Sequence, residues 1–448
     1  MARDDANADR TRSTSPSGIL ALVLACGLAS GLAGCSTPVE PAPSEPPATE
    51  TAVETPEPCV EDPVAVADRP VGPATLNPLD TGIAAQLDGT VQDALADTAA
   101  DGAVVGVRTP DGTWTAAFGL ADPAFGIPMT VGTHTRLGSV TTAFTTTLLL
   151  QLEQQGVLAL DDPVSTYVPG VPNGESITLR QLADGTSGLA DYSRGTDLAA
   201  ARDADPRTVF TPQQLLDAAF AEPSVAAPGA EATGSPTDAV LLGVVLEAAT
   251  GTDVGTLYGT GILGPLGLEQ TSWPGDSPEL PAPDASGATW QGDAATPESP
   301  SDATSWNPSW AFASGALVGE IGDLLDWGRA AGTGQGVLDR DHAIARLAFP
   351  DGDAQALGLT CMDGWIGADG SIAGYSTSVY YDTTTDTTVA VQTNTDLGTG
   401  DCTEIGAPLE NDADLPCRTA AMRIFVALSE TMGHEFVPLA EQGTSETP

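Results

Sequence analysis

Arg136-Leu-Gly-Ser139-Val-Thr-Thr142-Ala-Phe144-Thr-Thr-Thr-Leu148-Leu-Leu-Gln-Leu152 is the stretch on which the reading of the chain turns. Val140, Phe144, Leu148 and Leu152 recur every four residues, which predicts a helix over 139–155 with one face buried. Ser139 stands at its beginning, after a glycine. A serine there has two readings. As an N-cap, its oxygen accepts a backbone N–H and stabilises the helix by about 1 kcal/mol. As a nucleophile, it draws on the positive end of the helix, which favours the alkoxide and oxyanion of acyl transfer. Composition alone favours the cap.

Outward from this helix the pattern is α+β. Toward the N-terminus, Leu79, Ile83, Leu87, Val91 and Leu95 place a stripe on a helix over 76–99. Strand-like runs at 103–109 and 114–118 flank Pro110-Asp111-Gly112, the signature of a hairpin. Toward the C-terminus, helices are predicted at 212–221, 237–250 and 321–331, and the Pro-, Asp- and Ser-rich stretch 274–308 reads as a long loop. A second strand pair, 376–381 and 387–393, surrounds a Thr/Asp turn, and a helix over 418–432 ends at Gly433. Strands at both ends with helices between predict an antiparallel sheet built from distant segments, flanked by the terminal helices, plus an α-helical domain. The domain is expected over 76–440, with a disordered tail at 441–448.

Composition excludes several chemistries. The 448 residues carry a formal net charge of −46, and all 15 basic residues are Arg. Without Lys there is no Schiff base, no phosphate-loop lysine and no lysine general base. Clustered cations for nucleic acid or for an anionic membrane surface are also missing, so no nucleic-acid partner is expected. Adaptation to salt or a compositional bias accounts for such acidity, which also repels anionic partners. A hydrophobic content of 41% is enough to build a core.

The first 75 residues set the compartment. Arg3, Arg10 and Arg12 precede an apolar run from Gly18 to Gly34, which has the length of a signal-peptide core rather than a membrane span. It ends Leu32-Ala33-Gly34-Cys35, which resembles a bacterial lipobox with Cys35 as the lipidated residue. Export and a lipid anchor on the extracytoplasmic face of the membrane are therefore expected. Residues 36–75 hold ten prolines and no aromatic residue and read as an extended tether. Cys59, Cys361, Cys402 and Cys417 remain for the mature chain, enough for two disulfides in any of three pairings. Cys402 to Cys417 closes the shortest loop, and Cys59 could pin the tether to the domain. With no Cys-x-x-Cys or Cys/His cluster, no metal site is expected, and no cofactor.

Residues 136–192 run Arg-Leu-Gly-Ser139-Val-Thr, Leu160-Asp-Asp-Pro-Val, Val168-Pro-Gly, Leu179-Arg-Gln-Leu182 and Thr186-Ser-Gly-Leu-Ala-Asp-Tyr192. Val240-Leu-Leu-Gly243, Thr250-Gly251, Ala313-Ser-Gly315, Gly322-Asp-Leu324 and Gly374-Tyr375 follow in order. This series resembles the serine β-lactamase and D-Ala-D-Ala carboxypeptidase family, in its class C and esterase-like branch. The resemblance implies a β-lactamase/transpeptidase-like fold, with a catalytic groove between sheet and helical domain. It also implies a small ester or amide ligand, or a cell-wall peptide.

The departures are concentrated in the chemistry. The family's Ser-x-x-Lys becomes Ser139-Val-Thr-Thr142, and a Thr hydroxyl cannot take a proton near neutral pH. Its Tyr-x-Asn becomes Gly234-Ser235-Pro236, and its Lys/His-Thr-Gly becomes Ala368-Asp369-Gly370, so the cation that would bind a substrate carboxylate is missing. The His of the family's His-Thr-Ser-Gly-Leu becomes Gly185. The oxyanion hole, two backbone amides, would fall on Ser139 and Ser371 and does not depend on side chains. His134 and Asp369 are candidate substitute bases, against the plain readings of an exposed loop histidine and a solvated aspartate. Arg136 and Tyr192 read as structural. The sequence therefore predicts an impaired or inactive hydrolase domain acting by binding at the cell envelope. The alternative is a divergent serine hydrolase in which Ser139 works with a non-standard base.

Overall fold

A computed structural model describes residues 58–71, 77–230, 232–293, 295, 299–349, 355–402 and 415–438. The signal segment, Cys35 and the tail at 441–448 lie outside the described residues.

Eight antiparallel strands form one sheet: β1 (Gly102–Thr109), β2 (Gly112–Asp122), β3 (Ile127–Pro128), β4 (Gln355–Ala356), β5 (Leu359–Met362), β6 (Trp365–Ile372), β7 (Tyr375–Asp382) and β8 (Thr387–Thr393). Their spatial order is β3-β2-β1-β8-β7-β6-β5-β4. The N-terminal hairpin and the C-terminal meander thus meet at the centre, where Val105 opposes Val391. Both predicted strand pairs are present. Strands β4 to β6 were not legible as strands, because 355–372 is broken by glycines and has no alternation.

Helices cover both faces. On one side α2 (Thr81–Ala96) and the C-terminal helix Ala420–Thr431 bury Leu87, Val91 and Phe425 against Val105, Trp365, Tyr380 and Val391. The other side carries the helical domain, built around α3 (Val140–Gln154), α4 (Leu179–Ala183), α5 (Pro212–Ala221), α6 (Pro236–Thr250) and α7 (Ile321–Thr333). The single buried face expected for α3 is too modest. Twelve of its residues are buried, including four threonines. Their hydroxyls find partners without water: Thr145 Oγ1 donates to the Ala313 carbonyl at 2.6 Å, and Thr147 Oγ1 to the Ala143 carbonyl at 2.7 Å. Short hydroxyl side chains can bond back along a helix, so a Thr-rich helix tolerates the core. The stretch read as a long loop is largely irregular, with one short strand pair at 288–289 and 301–302.

Residues 58–71 differ from the extended reading. They include α1 (Pro63–Ala67), capped by Asp62, and bury Val60 and Val66 in the main core. Cys59 is bonded to Cys361 on β5, and Cys402 to Cys417, which selects one of the three pairings. Arg69 donates to the Tyr381 hydroxyl at 2.7 Å, and Arg340 reaches Asp68 at 2.6 Å. The physical reason is local. Two valines spaced by six residues and one cysteine suffice to dock this piece, although its composition is poor in apolar groups.

Candidate active site

The turn into α3 is held by backbone. Leu137 N donates to the Leu317 carbonyl at 2.8 Å, and Gly138 takes φ +54°. A Cβ on Gly138 would lie 2.7 Å from the Ser371 nitrogen, and one on Gly370 would lie 2.7 Å from the Ser139 nitrogen. Only glycine permits this approach, which presses the first residues of α3 against β6. The two segments named for the oxyanion hole are therefore in backbone contact. Ser139 itself has φ −62° and ψ −9°, makes no cap hydrogen bond, and is exposed. The cap reading of Ser139 is overturned, because its backbone is already helical.

Ser139 opens into a cavity of about 480 Å³ between α3, α6 and β6. Thr142, Gly185, Gly234, Ser235, Ala368, Asp369 and Ser371 all line it, so the sequence positions singled out do converge. What they present is mostly inert. Thr142 Oγ1 donates to the Ser314 carbonyl at 3.3 Å. Gly234 has φ +62° and no side chain. Ser235 is the N-cap of α6, accepting from Thr237 N at 3.3 Å and donating to the Ala190 carbonyl at 3.4 Å. Ala368 offers a methyl group.

Neither candidate base meets Ser139. His134 is buried rather than exposed, with Nδ1 3.1 Å from the Pro283 carbonyl, and it does not line the cavity. Asp369 borders the cavity and is exposed, as the solvated reading expected, and strand alternation sets it on the opposite face of β6 from Ala368. Its Oδ1 accepts from the Tyr380 hydroxyl at 3.2 Å. Desolvation by the surrounding protein pushes its carboxyl up, only partly offset by that bond. Among the described residues Ser139 Oγ has no hydrogen-bond partner. Arg136 and Tyr192 are structural as read. Arg136 donates to the carbonyls of Pro278 and Trp306 at 2.7 and 2.9 Å, and Tyr192 to that of Trp310 at 2.7 Å.

A family model for beta-lactamase matches residues 87–407, a span that holds the whole cavity lining. The chain belongs to the beta-lactamase family. Two curated relatives are the D-alanyl-D-alanine-carboxypeptidase/endopeptidase AmpH of Escherichia coli and esterase EstB of Burkholderia gladioli. AmpH is 29% identical over 219 residues, 47% of this chain and 52% of that one. EstB is 31% identical over 209 residues, 44% of this chain and 53% of that one. This chain thus spans about half the length of each. Among solved structures, a D-stereospecific amidohydrolase from Streptomyces sp. is 29% identical at a TM-score of 0.62, covering 70% of this chain and 94% of that one.

One group in the cavity wall was not singled out from the sequence. Asp238, in the first turn of α6, is 3% exposed and receives the Ser187 hydroxyl on Oδ1. Its Oδ2 is buried without a partner. Burial pushes the carboxyl up to about 7, against the opposing effect of the Ser187 bond. The available signal was weak: an acid three residues after Ser235 looks like ordinary helix N-terminal chemistry.

Proposed function

We propose that this protein is an exported lipoprotein, anchored through Cys35, whose groove binds a small amide or ester or a cell-wall peptide and turns it over poorly or not at all. The observation that carries this is the surroundings of Ser139 Oγ. The three motif positions that would move protons hold Thr142, whose hydroxyl is engaged with a carbonyl, Gly234 and Ala368. A positioned acid or base supplies about 10²–10⁴-fold in rate, and losses within one catalytic unit do not add. Binding and oxyanion stabilisation alone leave roughly 10³–10⁴ over water in other serine enzymes.

The backbone of the groove supports a peptide or amide ligand. Pairing between β6 and β5 ends at Gly367 with Thr360, so among the described residues β6 from Ala368 onward presents an unpaired edge beside Ser139. Such an edge can hydrogen-bond an extended chain. The names of AmpH and of the Streptomyces amidohydrolase point the same way.

A second reading, favoured by the uncapped and exposed Ser139, is a divergent hydrolase in which Ser139 is still acylated. Labelling by a fluorophosphonate probe, and turnover of nitrocefin and p-nitrophenyl acetate, separate the two when the full chain is compared with Ser139→Ala. The binding reading expects no Ser139-dependent turnover. Efficient turnover that Ser139→Ala abolishes would overturn it, and failure to label between pH 5 and 9 would overturn the second. For the anchor, Cys35→Ser is expected to move the protein from the membrane fraction to the soluble one, and a chain that stays in the membrane contradicts it.

A further inference from the structure

The cavity beside Ser139 has charged side chains in its wall, and they differ in how firmly they are held. Asp238 is buried and receives the Ser187 hydroxyl. Asp184 Oδ1 accepts from Leu357 N at 2.8 Å. Asp191 Oδ1 accepts from the Ser193 amide at 2.7 Å and from the Ser193 hydroxyl at 2.6 Å. Each carboxylate is thus tied to the protein's own backbone or hydroxyls. The guanidinium of the wall, Arg194, is held far less. Its side chain is 88% exposed, and its Nε lies 3.6 Å from Asp191 Oδ2, an ion pair without a hydrogen bond. Among the described residues nothing hydrogen-bonds its two terminal nitrogens.

An exposed ion pair of this kind contributes little, because water screens it and fixing two side chains together costs entropy. Arg194 can therefore exchange Asp191 for another anion at small cost. A guanidinium is a planar fork whose paired N–H groups match the two oxygens of a carboxylate. Asp191 meets only the Nε edge, so the terminal fork is unspent. Gly195 follows with φ +67° and has nothing within 4 Å of a Cβ built on it, so the loop that carries Arg194 has open space beside it. Arg202, in the same stretch of chain, shows the contrasting structural case. Its Nε donates to Asp203 at 2.8 Å, and its guanidinium lies 4.6 Å over the Trp310 ring.

We propose that Arg194 is a specificity-determining residue of the groove, receiving the free carboxylate of an extended peptide ligand. The proposal rests on the reading of the groove as a peptide site along β6, and not on whether hydrolysis survives. A peptide laid on the β6 edge ends in a carboxylate, and Arg194 is the cation of the cavity wall that reaches it without giving up a buried partner. The net charge of −46 acts weakly there, because the Debye length at 0.15 M salt is about 8 Å and distant acids are screened.

The test is isothermal titration calorimetry on the purified full chain at pH 7.5 in 0.15 M NaCl, with N-acetyl-D-alanyl-D-alanine and its C-terminal amide as the ligand pair. The two differ only in the carboxylate. Ser139→Ala is measured beside the wild type, so that cleavage of a ligand is not mistaken for binding. The acid is expected to bind about tenfold tighter than the amide, the lower range for a charge-assisted hydrogen bond. Arg194→Gln is expected to abolish that preference while affinity for the amide stays within about twofold, and Arg194→Lys to keep part of it, since an ammonium supplies the charge without the fork. Equal binding of acid and amide by the wild type, or a preference that survives Arg194→Gln, overturns the role of Arg194 and leaves the groove as a binding site. Equal loss of both ligands in Arg194→Gln also overturns it, because a merely structural residue would act that way. No binding of either ligand at 10 mM overturns both this role and the peptide reading of the groove.

Discussion

Two helices of fifteen residues start at the same groove, each behind a serine, and the two serines behave oppositely. Ser235 has ψ 126°, precedes Pro236, and caps α6 with a buried hydroxyl. Ser139 has ψ −9°, follows a glycine at φ +54°, and leaves its hydroxyl uncapped and exposed. A capping residue needs an extended ψ to swing its oxygen back over the first turn. Ser235 has that freedom. Ser139 does not, because the backbone seam between Gly138 and Ser371 holds it in a helical conformation. The helical, uncapped state of Ser139 is therefore a property of the seam, and it holds although Thr142, Gly234 and Ala368 place no acid or base beside it.

The comparison can be broken most forcefully at the seam. Gly370→Val places a Cβ 2.3 Å from the Leu137 carbonyl oxygen. It is expected to cost about 3 kcal/mol or more in denaturant unfolding, the upper range for overpacking. A loss below 1 kcal/mol would mean the seam is soft. Next in size is restored chemistry. The triple variant Thr142→Lys, Gly234→Tyr, Ala368→His is expected to raise p-nitrophenyl acetate hydrolysis by about 10²-fold, roughly 2.7 kcal/mol in barrier, as befits one acid/base unit. An unchanged rate would show that Ser139 is not poised for attack.

The α6 end is probed through Asp238. Its folded carboxyl titrates at about 7, above its ordinary value of 3.8, so the folded state prefers the protonated form. The stabilisation is fully present below about pH 4 and is lost as pH rises through 7. Asp238→Asn mimics the protonated form and is expected to be more stable than wild type at pH 8 by up to about 4 kcal/mol, the gap closing at pH 4. Asp396, pushed up to about 6 by burial, gives both proteins a residual slope. A constant gap across that range would contradict the assignment. The smallest effect concerns the serines themselves. Ser235→Ala is expected to cost about 1 kcal/mol, and Ser139→Ala less than about 0.5, because only one of them caps. Equal losses would erase the distinction.

Much of the fold was legible because its signals are local. A four-residue repeat marks α3, Pro-Asp-Gly marks the first hairpin, and the second strand pair is rich in Val, Thr and Tyr. Thr142, Ser235 and Ala368, picked out by their places in the motif series, line one cavity. Strand β6 was not visible as a strand, since Gly367, Ala368, Asp369 and Gly370 have little intrinsic preference for one. Its conformation comes from pairing with β7, Ala368 opposite Val379 and Gly370 opposite Thr377. Asp369 is exposed, as its plain reading had it, and its distance from Ser139 as a base has a related reason. A count along the chain locates a residue, but only the pleat decides which face it serves.

The sequence by itself determined the family and the absence of any lysine, because residue identity needs no coordinates. Only the tertiary structure decided that Ser139 is uncapped, that His134 and Asp369 do not bond to it, and that Asp238 is buried in the groove wall against Ser187. Those facts depend on ψ angles, strand parity and burial, which are set by segments hundreds of residues apart packing together.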